Sequence, residues 1–346
     1  MKDIKSLSID ELKAETELLG EKKFRADQIY SWLHQKLVRS FDEMSNIPAS
    51  LKEKLSENYT ITSFDILRKQ VSKTDGTVKY LFRLSDGNCI ETVSMDYRHG
   101  HSVCISSQVG CRMGCAFCAS TLGGLVRNLT ASEMLEQIYS VTRDLDKRVD
   151  NVVVMGIGEP MDNYDNVVAF IRLLTSDKGL NLSVRNITVS SCGIVPGILK
   201  LSEEGLGITL ALSLHAVTDE KRRKIMPVAK SYTIAQLMEA VDTYFKNTGR
   251  RVTFEYSLIA GVNDTEEDAK GLAALAAKRG CHVNLIPVNP VTEAGLKEPD
   301  RAAVLAFQQK LSNMKVNATI RRELGRDIDG ACGQLRRNHN NIMSTD

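Results

Sequence analysis

The chain has 346 residues, 42% hydrophobic and 25% charged, enough to bury a large core in one big domain with a smaller companion. No apolar run approaches the ~18 residues of a membrane span, and the start, MKDIKSLSIDELKAE, lacks the apolar stretch of a secretion signal; the expectation is a cytoplasmic protein without membrane contact. A formal net charge of +2 leaves any nucleic-acid binding to local basic patches, and eight cysteines in a reducing compartment point to metal binding or catalysis and away from a disulfide framework.

From Ser8 to about Tyr59 the pattern is helical, with Ser8 and Asp10 available as caps and apolar positions at Leu12, Leu18, Leu19, Ile29, Trp32 and Leu33, which predicts a small bundle. Three alternating runs follow, Asp65–Ser72, Thr77–Leu84 and Asn88–Asp96, parted by Asp75-Gly76 and Asp86-Gly87, dipeptides suited to tight turns; they predict a β-meander. Beyond residue 100 the strand candidates are His101–Ser107, Asn151–Gly156, Asn186–Ser190, Ile208–Leu214, Arg251–Leu258 and His282–Val288. Helix patterns such as Ala131–Leu145, Asn166–Thr175, Thr233–Phe245, Glu266–Lys278 and Arg301–Met314 lie between them. Alternation of this kind predicts an α/β core with a parallel sheet, and six units fall short of the eight of a closed barrel. The expectation is an open, partial (β/α)6 TIM-like barrel with its site at the C-terminal strand ends. The expected division is a helical accessory domain over 1–60, the meander over 61–98, the core over 99–335 and a tail over 336–346.

Directly after the first core strand the sequence reads Cys111-Arg-Met-Gly-Cys115-Ala-Phe-Cys118. Soft thiolates on a short loop suit zinc or an iron–sulfur cluster, and structural sites of both kinds use four protein ligands. Three leave one metal position open, as a cluster needs if it is to coordinate a small molecule and pass it an electron. A zinc site completed by a distant Cys or His is the alternative. Gly156-Ile-Gly158-Glu159-Pro160 closes the second strand, Ser190 the third, Ser213, Leu214 and His215 the fourth, and Asn289 follows the sixth. Each alone is as readily a cap or turn residue; together they ring one mouth.

The CxxxCxxC spacing, followed by Gly-Ile-Gly-Glu-Pro, resembles the radical S-adenosylmethionine (SAM) superfamily. Cys104-Ile-Ser-Ser-Gln, Arg127-Asn-Leu-Thr and Asp327-Ile-Asp-Gly-Ala-Cys332-Gly-Gln-Leu resemble, within it, the RlmN/Cfr family of RNA adenine methyltransferases over essentially the full chain. Glu159-Pro160 and Leu285-Ile-Pro-Val-Asn-Pro290 resemble its RlmN side, which implies methylation at carbon 2 and not carbon 8. The resemblance implies a [4Fe–4S] cluster on Cys111, Cys115 and Cys118. It implies SAM contacts at Gly158, Glu159, Ser190, Ser213, Leu214, His215 and Asn289, with Glu159 accepting from the cofactor's ammonium group. Two SAM molecules per turnover are implied, one giving a methyl group to Cys332 and one cleaved to a 5′-deoxyadenosyl radical that activates it.

Carbon 2 of adenine has no nucleophilic lone pair, so ordinary displacement cannot methylate it and a radical route is needed. By resemblance, Cys332 carries the methyl group into a transient protein–RNA adduct, Cys104 resolves that adduct, and Glu91 accepts the ring proton. On the residues alone, Cys104 reads as core packing, Cys332 in its Gly-Ala-Cys-Gly turn as a reactive thiol, Glu91 as a surface carboxylate, and Cys89, Cys192 and Cys281 as structural. The implied substrates are 23S rRNA in the peptidyl-transferase centre and tRNA at anticodon-loop position 37, reached by flipping the base. A flavodoxin-like electron donor and a monomeric enzyme are family expectations. Lys22-Lys23 with Arg25, Lys221 to Lys224, Arg321-Arg322 with Arg326, and Arg336-Arg337 are the candidate phosphate contacts. A Cfr-type methyltransferase acting at carbon 8 of the same adenine, a radical activase acting on protein and a non-catalytic iron–sulfur or zinc protein that binds RNA are the alternatives.

Overall fold

A computed structural model describes residues 1–288, 295–322, 324–328 and 335–336. The N-terminal bundle consists of α1 (Ile9–Leu18), α2 (Phe24–His34) and α3 (Ala49–Asn58), closed by a short parallel pair of β1 (Lys2–Asp3) and β2 (Tyr59–Thr60). Ser8 starts α1 through a capping box: its hydroxyl accepts the Glu11 N–H, and the Glu11 carboxylate accepts the Ser8 N–H at 2.8 Å. Asp10 caps nothing and sits in the first turn. Leu12, Ile29 and Leu33 are buried, but Leu18, the last residue of α1, is 82% exposed because the helix ends before that face reaches the bundle.

A ten-stranded sheet organises the rest. Its meander strands β3 (Asp65–Val71), β4 (Val78–Arg83) and β5 (Cys89–Tyr97) pair antiparallel, and β5 pairs antiparallel with the first core strand, β6 (Gly100–Ile105). The core continues in parallel through β9 (Asn151–Val154), β10 (Ile187–Ser191), β11 (Thr209–Ser213), β12 (Thr253–Leu258), β13 (His282–Pro287) and β14 (Ala318–Ile320). Crossovers run through α4 (Ala131–Leu145), α5 (Tyr164–Thr175), α6 (Val195–Glu203), α7 (Asp219–Ile225) with α8 (Ile234–Thr248), α9 (Glu266–Ala277) and α10 (Arg301–Asn313).

The six expected parallel strands are therefore joined by a seventh, β14, whose three residues are too few to show an alternation. Helix α6 escapes the periodic reading because Pro196 and Gly197 interrupt it, although a proline in the first turn costs no intrahelical hydrogen bond. Between β6 and α4 a small hairpin projects, β7 (Gln108–Gly110) against β8 (Leu125–Asn128), and the three-cysteine loop is its tip. The bundle is fastened to α4 by a fully buried ion pair, Lys5 Nζ to Glu136 at 2.6 Å, and by His34 Nδ1 against the Tyr139 hydroxyl at 2.8 Å. Among the described residues no helix is long and apolar enough to cross a membrane.

Candidate active site

The hairpin holds its loop tightly at the base. Gly110 has φ +79°, and a Cβ there would stand 2.0 Å from the Gly124 carbonyl oxygen, whose partner is the Cys111 N–H at 2.9 Å. Within the loop the Cys118 N–H donates to the Cys115 carbonyl at 3.1 Å, and Gly114 turns the chain at φ +70°. Cys111 and Cys115 are buried and Cys118 half-buried. Burial pushes the Cys111 thiol up to about 12 and that of Cys115 up as well, with the other thiols of the loop acting in the same direction.

Two buried sulfurs that disfavour free thiolates, with a third on the same loop, are a donor set suited to positive iron, which takes the charge the protein will not hold alone. Among the described residues no three His, Cys, Asp or Glu side chains converge as a ready single-ion site. Three cysteines on one short loop are a donor set that fits an iron–sulfur cluster.

The neighbouring strand ends are laced to this loop. His215 follows β11 at φ +56°, and its ring meets Phe117 of the loop edge-on, centroids 4.7 Å apart. Its Nδ1 accepts the Ser257 N–H at 2.8 Å, and burial, then the Arg222 charge, pushes its pKa down to about 3, so the ring is neutral. Ser190 and Ser213 stand side by side on β10 and β11 with hydroxyls 3.4 Å apart, while Leu214 is fully buried and offers only backbone to the mouth.

Glu159 is buried, and its carboxylate accepts the backbone N–H groups of Met161 at 3.0 Å and Cys192 at 2.7 Å. What Glu159 visibly does is tie the end of β9 to that of β10. Gly158, at φ +115°, packs so closely that a Cβ would meet the Gln108 Cβ and the Ser107 hydroxyl at 2.7 Å; its lack of a side chain serves the chain's own packing. Asn289 and Cys332 lie outside the described residues.

Inside the barrel, Cys104 of β6 packs with Val93, Met95, Val153, Met155 and Leu324. Cys104 stands opposite Val93 across the β5–β6 pair, and Glu91 lies two residues earlier on the same face. Glu91 is the third residue of β5 and is not a surface group: it is 3% exposed and pairs with buried Lys79 at 3.0 Å. Its Oε1 accepts the Arg336 N–H at 2.6 Å, and Leu335 is buried against Leu81 and Cys89. The chain a few residues past Cys332 is thus fastened to Glu91, on the face of β5 that Cys104 faces.

A cavity of about 420 Å³ occupies the lumen, bounded by Met95 and Tyr97 of β5 on one side and by Arg321 and Arg322 after β14 on the other. Glu255, which accepts from Asn284 Nδ2 at 2.9 Å, is on its wall, and Arg185 on its rim. Within the run Lys221 to Lys224 only Arg223 is exposed and free of an ion pair among the described residues. Arg222 is fully buried, Lys221 pairs with Asp268 at 2.6 Å and Lys224 with Glu220 at 2.8 Å. Sequence reasoning missed Lys79, Phe117, Arg185, Arg222 and Glu255; an inward lysine in the alternating β4 run was a readable signal, whereas Arg222 was hidden among neighbouring surface charges.

A partial parallel barrel with a three-thiol loop after its first strand, facing polar strand ends, defines a radical SAM enzyme. Residues 105–273 match the model of the radical SAM superfamily, and residues 2–61 that of the "Ribosomal RNA large subunit methyltransferase N-terminal domain". A protein of Lachnoclostridium phytofermentans, "Probable dual-specificity RNA methyltransferase RlmN", is 58% identical over 97% of this chain and 95% of its own. One of the same name from Lachnospira eligens is 58% identical over 97% and 96%. The crystal structure of a radical SAM methyltransferase from Sphaerobacter thermophilus superposes with a TM-score of 0.92 at 40% identity, covering 96% of this chain and 99% of that one. The chain belongs to the RlmN family of radical SAM RNA methyltransferases, and its cofactors are a [4Fe–4S] cluster and S-adenosylmethionine.

Proposed function

We propose that the enzyme methylates carbon 2 of adenosine in both 23S rRNA, at the peptidyl-transferase centre, and tRNA, at anticodon-loop position 37. The observation that carries this reading is that Glu91, on the face of β5 that Cys104 faces across the β5–β6 pair, accepts the N–H of Arg336, four residues past Cys332. The name of the relatives, dual-specificity, supports two RNA classes. Cys111, Cys115 and Cys118 would hold the cluster, and Gly158, Glu159, Ser190, Ser213, Leu214, His215 and Asn289 would surround SAM.

Bound there, these groups supply the methyl group and a one-electron route to abstract hydrogen from it. Cys332 carries the methyl group as a thioether, and the target base is flipped out of its stack to reach it. Glu91 accepts the proton lost from carbon 2, with Lys79 supplying the countercharge. Once the adduct has given up its unpaired electron and the carbon 2 proton, Cys104 as the thiolate attacks the sulfur of Cys332; a disulfide forms, the carbon–sulfur pair stays on the base's methylene, which takes up a proton to become the methyl group, and an external dithiol reductant reopens the disulfide. The bundle over 1–60, with Lys22 and Lys23 exposed, serves as the accessory RNA contact. A flavodoxin-like donor, a monomeric enzyme and, given these substrates, a cytoplasmic location complete the reading.

The test is anaerobic reconstitution with reductant, SAM and a 23S rRNA fragment or a tRNA, followed by digestion and mass spectrometry. 2-Methyladenosine is expected from wild type and none from Cys332→Ala. Cys104→Ala should leave an RNA adduct that survives denaturing electrophoresis. 8-Methyladenosine would overturn the choice of carbon, and 5′-deoxyadenosine without RNA modification would overturn the substrate.

A further inference from the structure

Arg222, on α7, is one of the largest side chains the fold buries completely. Its Nε donates to the Leu214 carbonyl at 3.0 Å, and its Nη2 to the carbonyls of Cys192 at 2.6 Å and Ser213 at 3.2 Å. Its Nη1 is buried with no hydrogen-bond partner among the described residues. The same helix grips the cysteine loop: the Ile225 carbonyl accepts the Ala116 N–H at 2.9 Å, and Ile225 and Met226 pack with Cys115 and Cys192. The guanidinium therefore sits immediately behind the loop.

A buried cation is costly unless an anion answers it, and carbonyl dipoles solvate it without neutralising it. Lys221 and Lys224 on the same helix have carboxylate partners; Arg222 has none within ion-pair distance among the described residues. The groups whose negative charge would most favour its own are the sulfurs of Cys192 and Cys115, ahead of the Asp219 carboxylate on its own helix. A [4Fe–4S]²⁺ core on three thiolates carries a net charge of −1, and one electron takes it to −2. A fixed positive charge behind the loop favours the second state over the first, in a region where burial weakens screening.

We infer that Arg222 is a positioning residue with an electrostatic role: it bolts the ends of β10 and β11 to the cluster loop and raises the cluster's midpoint potential. The step it assists is the uptake of one electron from a low-potential one-electron reductant, with no bond made and no proton moved. The inference rests on the assignment of the cluster to Cys111, Cys115 and Cys118; failure of that assignment would show separately, as wild-type protein that takes up no cluster.

The experiment is an EPR-monitored redox titration of reconstituted wild type, Arg222→Gln and Arg222→Lys, with dithionite as reductant and loading verified by iron and sulfide content. The Gln variant should load and titrate at a lower potential, and the Lys variant, charge kept and fork lost, close to wild type. A fully loaded Gln variant at the wild-type potential overturns the inference and leaves Arg222 a fastening only. Should Gln fail to load, Lys decides: an unchanged potential supports the charge, and a clearly lowered one overturns it. If neither loads, the residue is needed to form the site and the tuning role is withdrawn.

Discussion

His34 and His215 are buried neutral in different settings, one between the bundle and α4, the other at the end of β11, yet both are pushed down to about 3. Burial is the larger cause for each, with Lys5 adding to it at His34 and Arg222 at His215. In the unfolded chain both titrate near ~6.5. As pH falls below that value the unfolded chain binds two protons that the folded protein refuses, so stability is complete above about 6.5 and declines on acidification. The slope is about 1.4 kcal/mol per pH unit for each histidine. The window down to about pH 5 is clear of Asp75 and Asp86, whose carboxyls are held at about 2 and matter only in stronger acid. Denaturant unfolding of the cluster-free protein at pH 7.5, 6 and 5 should show the decline, and His34→Gln should lower the slope by one histidine's share. An unchanged slope in that variant would mean that His34 protonates in place.

At the scale of elements, the β7–β8 hairpin decides whether three thiols form one site. Gly110 is the strictest position in it, since a side chain there needs both a left-handed φ and room that the Gly124 carbonyl already fills. Gly110→Ala must shift backbone against backbone, so the Cys111 end of the loop moves while the barrel below it stays paired. The expected result is a large loss of iron per chain after reconstitution with little change in far-ultraviolet circular dichroism; full loading would show that the hairpin yields. Much of this element was legible beforehand, because ligand spacing is a local property written in eight consecutive residues. The lacing of the strand ends was not legible. Glu159 has the look of a ligand, but hydrogen bonds to residues 2 and 33 positions away decide what its oxygens touch, and Arg222 is buried only because α7 folds over β10 and β11. Glu91 read as a surface carboxylate for the same reason: its buried partner, Lys79, is a neighbour only once β4 and β5 pair.

For the molecule as a whole, the question is which face meets RNA, and the near-neutral net charge gives no answer. The sequence offered four basic runs, and the fold engages most of one within the protein: Arg222 is buried, and Lys221 and Lys224 pair with carboxylates. It supplies another by convergence, since Arg185 before β10 and Arg322 after β14 are 137 residues apart in the chain yet both border the lumen cavity. Both are exposed and make no ion pair with the described residues, so they can take phosphates without breaking anything in the protein. If RNA enters by this rim, each arginine that reaches a phosphate releases counterions, and its loss lowers the slope of log affinity against log salt by about 1, or about 0.7 for a single strand. Arg185→Gln and Arg322→Gln should therefore weaken binding to rRNA and tRNA fragments alike and flatten the salt dependence, with cluster content unchanged. Arg223→Gln, on α7, should leave both quantities as they are in the unmodified protein. If Arg223 moves the slope and the rim arginines do not, RNA approaches from the C-terminal ends of the strands and the lumen is filled from the cofactor side.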